Sequence, residues 1–243
     1  MANTTNLGSL YLDDHPVEIG SEYVPGQSIR IGRTVTGKEI SWVVVNGMLI
    51  ADRCILTNVT WEDLNFNSLV FGKEIAIGGY HYKTRLLKVG PEVDVPNEWD
   101  AALDAVGEDN ELWHWGSEFF WGQETPTGLQ ASSRAYRGYH SVRYWGWFDW
   151  LFRYSGLGFR PALVPLASEI HSHSPVVLGQ QLMIWSGQNI AWGCLEDVTD
   201  YDIVLSNWCG TVLDNPSCGW TIVDGKLVAT LEAIAGMQTQ EGA

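Results

Sequence analysis

The sequence predicts an α+β fold, because it combines pairs of β-strands joined by tight turns with amphipathic helical stretches. In "EISWVVVNGMLIA" (39–51), two apolar runs flank Asn46-Gly47, a pair that tolerates the positive φ angles of a type I′ hairpin turn. Gly78-Gly79 predicts a second hairpin within residues 73–87. Residues 97–107 predict a helix, since their apolar side chains recur at the spacing of one helical face.

Capping residues support both predicted helix starts. Thr60, with Asp63 three residues later, is typical of a helix N-terminus. Asn97 is suited to cap the helix of residues 97–107, and Gly107 suits the position that follows its last turn.

The chain divides by pattern into three parts. The first part, residues 1–38, is an N-terminal arm that we expect to be irregular over its first 27 residues. The second, residues 39–167, is the main domain, and the third, residues 168–243, is a small β-rich C-terminal module. "LGFRPALVPL" (157–166) predicts the strand that closes the main domain, and Pro161 within it indicates an edge or a bulge. "GWTIVDGKLVA" (219–229) repeats the hairpin pattern of residues 41–51.

Composition excludes several classes of partner. The 243 residues are 45% hydrophobic and 18% charged, which is typical of a globular protein. A net charge of −15 disfavours nucleic acid and anionic membranes as partners. No apolar run is long enough to span a membrane, and the N-terminus lacks the pattern of a Sec signal peptide.

Catalytic and metal-binding patterns are weak. The sequence has no P-loop, no HExxH and no GxSxG. His171 and His173 could share a metal, and the acidic stretches 107–111 and 196–202 could hold calcium, but linkers, turns and caps use the same residue types. We therefore predict no cofactor, no metal and no enzymatic activity.

The four cysteines match no common zinc spacing. Two interpretations remain open: the thiols are small apolar side chains, or Cys209 and Cys218 form a disulfide.

Residues 136–154, "YRGYHSVRYWGWFDWLFRY", are the most unusual stretch. Nine of these nineteen residues are aromatic, three are Arg and none is Lys. The stretch has no clean strand or helix period, so its rings either pack in a core or form a binding surface. The mixture of Tyr, Trp, Ser, Gly and Arg favours the binding surface, since it is typical of interfaces.

The frame around this stretch resembles a known family. Its residues are Arg137, Gly138, Ser141 and Trp145, followed by Gly158, Phe159 and Arg160. This pattern is similar to the C-terminal half of the C-type lectin fold of the formylglycine-generating-enzyme type, and the resemblance spans roughly residues 39–166. It implies an α+β C-type lectin-like domain.

Within that superfamily the resemblance is closest to the variable proteins of diversity-generating retroelements, which include phage tail receptor-binding and bacterial surface proteins. Their hypervariable stretch precedes the Gly-Phe-Arg strand. The enzyme branch uses paired cysteines in its C-terminal half, whereas residues 55–193 here contain none. A formylglycine-generating type of enzyme and a structural subunit of a phage-like particle are the alternatives.

The resemblance implies roles for selected residues in and around the segment. The expected ligand contacts are His140, Arg143, Tyr144, Trp147, Phe148, Asp149, Trp150, Phe152 and Tyr154, with Trp113, Trp115, Phe119 and Phe120 extending the surface. The expected structural residues are Arg137, Gly138, Trp145, Gly158, Phe159 and Arg160. The implied partner is a protein or glycan ligand on a cell or particle surface. The implied location is a virion, phage tail or cell surface, with oligomerisation or docking through the C-terminal module.

Overall fold

The computed structural model describes residues 4–167 and 177–241. Its strands are β1 (Thr4–Leu12), β2 (His15–Pro16), β3 (Ser21–Glu22), β4 (Ile29–Gly32), β5 (Glu39–Val45), β6 (Met48–Ala51), β7 (Leu56–Thr57), β8 (Lys73–Ile77), β9 (Tyr80–Leu86), β10 (Phe119–Trp121), β11 (Ser133–Gly138), β12 (Trp145–Asp149), β13 (Leu157–Phe159), β14 (Pro161–Pro165), β15 (Gln181–Ser186), β16 (Asn189–Val198), β17 (Asp202–Thr211), β18 (Trp220–Val223), β19 (Lys226–Thr230) and β20 (Gly236–Thr239). Its α-helices are α1 (Trp61–Phe66), α2 (Glu98–Val106) and α3 (Asn110–Trp113).

The α+β prediction is wrong, because the described chain is a β-rich fold with 46% strand and 11% helix. The three helices have only six, nine and four residues. The Gly- and aromatic-rich stretch after α3 supplies short strands instead. The helix starts predicted at Thr60 and Asn97 are present as α1 and α2, whereas α3 was not predicted, and the three helices together cover little of the chain.

Three sheets organise these strands. The first sheet has the order β2-β1-β5-β6-β14-β9-β8, with β4 also paired to β1. The second sheet has the order β12-β11-β10-β13-β7-β3. The third sheet has the order β18-β19-β17-β16-β15-β20 and contains the described strands of the C-terminal module.

The predicted hairpins are confirmed. Asn46 and Gly47 have φ angles of 52° and 74° and join β5 to β6. Gly78 and Gly79 join β8 to β9. Asp224-Gly225 joins β18 to β19, so the repeated pattern of residues 219–229 is a second hairpin of the same kind.

Both predicted helix starts are also confirmed. The Thr60 side chain accepts a hydrogen bond from the backbone of Asp63, and the Asp63 carboxylate accepts one from the Thr60 backbone, which completes a capping box. The Asn97 side chain accepts a hydrogen bond from the backbone N–H of Asp100 at the start of α2.

Two predictions differ from the structure: the irregular N-terminal arm and the edge position of Pro161. Residues 4–12 are not irregular, because they form β1, which lies between β5 and β2. β14 lies between β6 and β9, so Pro161 is not on an edge strand. Proline is tolerated there because it is the first residue of its strand.

The third sheet packs against the first. Met183, Trp185 and Ile190 are buried in the same apolar cluster as residues of the first sheet. The side chain of Gln238 accepts a hydrogen bond from the backbone N–H of His81 at 2.5 Å and donates one to the carbonyl of Leu166. One surface of the C-terminal module is therefore covered by the first sheet of the same chain.

Candidate functional site

The outer three strands of the second sheet support the aromatic segment. In the β10-β11-β12 register, Trp121 lies opposite Tyr136 and Arg134 lies opposite Phe148, so these side chains share one side of the sheet. We call this the cluster side. Arg137 and Trp147 lie on the opposite side, which faces α2, and we call it the helix side.

An aromatic cluster covers the cluster side. Its members are Phe119, Tyr136, Tyr139, His140, Tyr144, Phe148 and Phe152. The ring of Phe119 is central, with centroids 4.8 Å from both Tyr136 and Tyr139 and 5.5 Å from His140. Edge-to-face and tilted contacts of this kind add to the gain from burial and fix ring orientation.

Phe148 continues the cluster along β12. It stacks on Tyr136 at 4.5 Å and on Phe152 at 4.2 Å. Phe119 and Tyr136 are buried, but Tyr139, Tyr144 and Phe152 remain 39%, 37% and 39% exposed. The cluster is thus a buried aromatic base that holds three half-exposed carbocyclic rings and the exposed imidazole of His140 at the surface.

Backbone geometry fixes the loop that carries Tyr139 and His140. Gly138 has a φ of 98° and Tyr139 one of 66°, so the chain turns sharply where β11 ends. A Cβ on Gly138 would lie 2.6 Å from the carbonyl oxygen of Glu118. The Tyr139 N–H donates to the carbonyl of Trp115 at 2.9 Å, which ties the loop to the preceding segment.

Arg137 anchors the loop from the helix side. Its buried guanidinium donates to the carbonyl of Val89 at 2.8 Å, to that of Arg143 at 2.8 Å and to the Asp100 carboxylate at 2.8 Å. The bond to Arg143 holds the backbone just before Tyr144. This is the structural position that the resemblance implies for Arg137.

Arg143 forms ion pairs within the chain. Its guanidinium lies 2.6 Å from the carboxylates of Asp104 and Glu108 and 3.6 Å from that of Asp100. The hydrogen bonds that Arg143 donates to the Glu108 and Asp104 carboxylates raise the pKa of Arg143. Arg143 is 39% exposed, so its role as a ligand contact stays a prediction, although its donors are directed to α2 and the residues after it.

Trp147 and Asp149 are exposed, but Trp147 lies on the helix side, away from the aromatic cluster. The Asp149 carboxylate accepts a hydrogen bond from the Leu151 N–H, which lowers the pKa of Asp149. Trp150 is half-buried, and the Arg134 guanidinium lies 5.0 Å from its ring and 4.1 Å from that of Trp61. The expected contacts therefore do not form a single surface.

Tyr154 is exposed, and its neighbour Arg153 is bonded to the carbonyl of Asn58 and to Asp63. Trp115 is partly exposed, and its indole donates to the carbonyl of Glu108. These two rings lie at the margin of the aromatic segment.

Trp113 and Phe120 belong to the core. Both are fully buried, and each ring packs 4.9 Å from that of Trp99. The expectation that they extend the binding surface is corrected, because no part of either side chain reaches solvent.

The other expected structural residues lie in the interior or bond to it. Trp145 donates from its indole to the carbonyl of Gly90. Phe159 and Arg160 are fully buried, with the Arg160 guanidinium 4.8 Å from the ring of Phe120. At Gly158 a Cβ would lie 2.5 Å from the carbonyl of Leu56, so only glycine fits.

A cleft that sequence reasoning missed lies beside the segment. It has a volume of about 430 Å³ and is lined in part by Tyr23, Glu62, Phe66, Leu151 and Arg153. Phe66 is 87% exposed at its rim. The local sequence gives no indication of this cleft, because it forms between segments about 40 and 90 residues apart in the chain.

Metal and thiol chemistry find little support in the described residues. Residues 4–167 and 177–241 contain no group of three or more side chains able to hold a metal. His171 and His173 lie outside these ranges. Cys209 and Cys218 are free and exposed, so the possible disulfide between them is absent. Burial raises the pKa of Cys54, which makes it a poor nucleophile.

Comparison with known proteins gives no relative. No family model, curated protein or solved structure matches the chain, so nothing identifies it as a C-type lectin or as a retroelement variable protein. In the part of the chain that the structure describes, no helix has the length and apolar character needed to cross a membrane.

Proposed function

We propose that the protein binds a macromolecular ligand through the aromatic cluster and performs no chemistry on it. One observation carries the proposal: Tyr139, Tyr144 and Phe152 are held half-exposed on a buried aromatic base. Concentrated ring surface left in water is unfavourable for a free protein and is typical of interaction sites. Tyrosine and phenylalanine supply large contact areas with few rotatable bonds.

The rigidity of the base supports the same function. Gly138, the hydrogen bond from Tyr139 to Trp115 and the Arg137 anchor fix the loop before any ligand arrives. A preorganised surface loses less conformational entropy on binding. Since the rings lie partly exposed at the surface of the protein, we expect a protein or glycan surface to suit the site better than a small molecule.

The test is a protein and glycan array probed with the full chain and with the triple variant Tyr139→Ala, Tyr144→Ala, Phe152→Ala. Truncating anchors of this kind weakens binding by about tenfold or more. The triple variant should therefore lose the signals that the unaltered chain gives, while keeping its cooperative unfolding.

A matched control removes exposed apolar side chains from the third sheet. Tyr201 in the turn between β16 and β17 and Ile222 and Val223 in β18 are all exposed, and their combined replacement by Ala should leave array binding intact. Equal loss in both triple variants would mean that binding is non-specific. Retention of binding by both would place the site elsewhere on the molecule.

The resemblance of residues 136–160 to retroelement variable proteins adds a finer proposal: the segment differs between copies of the gene. The density of aromatic side chains immediately before Gly158-Phe159-Arg160 supports it. Sequencing the gene across a population of its source tests it. Changes concentrated in codons 113–156 support the proposal, and an invariant segment refutes it.

A further inference from the structure

β12 is an outer strand of the second sheet, and one of its edges pairs with no other described strand. The Gly138 N–H donates to the carbonyl of Tyr144, and the Trp150 N–H donates to that of Ser132. Hydrogen bonding alternates along an antiparallel pair. The backbone groups of the intervening odd-numbered residues, Trp145, Trp147 and Asp149, therefore point away from β11 toward the open edge. At the end of the strand the carbonyl of Asp149 already accepts a hydrogen bond from the Phe152 N–H, so the free groups of the edge lie at Trp145, Trp147 and the Asp149 N–H.

Two other outer strands, β8 and β18, carry features that protect an edge, whereas most of β12 carries none. Charged side chains and local capping discourage a foreign strand from pairing with an edge. β8 begins with Lys73 and Glu74. In β18 the N–H of Ile222 donates to the Asp214 carboxylate at 3.2 Å. β12, with the sequence WGWFD, has no Lys, no Pro and an unbroken five-residue register with β11.

Apolar side chains flank the open edge on both sides of the sheet. Trp147 is 48% exposed on the helix side, and Phe148 is half-buried on the cluster side. A strand added to β12 would place a side chain within about 5 Å of each. Asp149 is the charged residue of this strand.

We propose that the edge of β12 receives an extended segment of a partner protein, which adds a strand to the second sheet. The segment would place apolar side chains beside Trp147 and Phe148 and a basic side chain near Asp149. This inference rests on the proposed function, since it specifies the ligand as a peptide segment and the binding mode as strand addition.

A second copy of this chain fits the edge less well. A ladder of five residues buries far less than the roughly 1,200 Å² that stable protein pairs need. Each copy also carries a net charge of −15, so two copies repel each other. The same negative net charge attracts a basic peptide segment.

The probe is a set of random linear peptides displayed on phage and selected on the full chain. Peptides that bind are then made with a single N-methyl group at each position in turn. Strand addition predicts that methylation weakens binding at alternate residues only, roughly fivefold or more at each, because only those N–H groups bond to β12. Failure to select any peptide, or an effect without this alternation, overturns the proposal.

Two variants separate the contribution of the Trp147 backbone N–H to peptide binding from that of its side chain. Trp147→Ala and Trp147→Pro both remove the indole, but only the proline removes the outward N–H, which bonds to no strand among the described residues. The proline variant should bind the selected peptides at least about fivefold more weakly than the alanine variant. Equal binding by the two folded variants contradicts the proposal.

If the proline variant fails to fold, amide hydrogen exchange in the unaltered protein tests strand addition instead. Peptide binding should slow exchange at Trp147 and Asp149, and unchanged exchange overturns strand addition. If selected peptides require Tyr139, Tyr144 and Phe152 but show no alternation, strand addition fails while the proposed function stands. If neither peptides nor the arrays give binding, both fail.

Discussion

Replacing Arg137 by Met should destabilise the protein far more than the same replacement at Arg143. The two arginines are six residues apart and both face Asp100, but Arg137 is 1% exposed and Arg143 is 39% exposed. The matched pair therefore separates a buried anchor from a surface ion-pair network. It also tests whether the loop that supports the aromatic cluster is held in place by the buried guanidinium of Arg137.

The expected magnitudes follow from the contacts. Arg137→Met leaves the carbonyls of Val89 and Arg143 without their donor and removes a 2.8 Å ion pair to Asp100. Breaking a buried pair of this kind costs about 3–5 kcal/mol. Arg143→Met removes exposed pairs, which are worth about 1 kcal/mol or less.

Urea unfolding followed by tryptophan fluorescence measures both free energies. For a chain of this length, the loss at Arg137 corresponds to a fall in Tm of roughly 6–20 °C. Losses at the two positions that agree within about 0.5 kcal/mol would refute the argument, since burial would then have no consequence for the anchor.

Three further predictions concern the loop, the buried phenol and the thiols. Gly138→Ala should cost more than about 1 kcal/mol in urea unfolding, because Gly138 has a φ of 98° and the added Cβ would lie 2.6 Å from a carbonyl oxygen; an unchanged midpoint would show that the loop adapts. Burial raises the pKa of Tyr136 above its usual value of 10.0, so the unfolded chain ionises first and stability should fall as pH rises above about 10. Tyr136→Phe should reduce this slope, and an identical slope would contradict the assignment. In the folded protein a thiol reagent should modify the exposed Cys209 and Cys218 but reach the buried Cys54 only after unfolding, and rapid modification of Cys54 without denaturant would contradict its burial.

Local features of the fold were predictable because they depend on a few neighbouring residues. Asn46-Gly47 permits the positive φ angles of its turn, and Thr60 and Asn97 satisfy free N–H groups at helix starts. The balance of helix and strand was not predictable in this way. Short strands such as β10 and β13 depend on pairing with distant segments, which local periodicity does not record.

The candidate site was only partly predictable for the same reason. The sequence placed the aromatic excess in residues 136–154, but the assignment of rings to core and surface depends on strand register. Trp147 and Phe148 are adjacent, yet they lie on opposite sides of β12. Trp113 is buried by packing on Trp99, which no spacing within its own segment indicates.

Hydroxyl-radical footprinting of the protein, alone and with a ligand taken from the arrays, tests the central claim most directly. Tyr139, Tyr144 and Phe152 should be oxidised readily in the free protein and protected in the complex, because their exposed ring surface is what the ligand covers. Tyr201 in the turn between β16 and β17, also exposed, should be oxidised equally in both states. Protection at Tyr201 with none at the three cluster rings would contradict the claim that the aromatic cluster is the binding site.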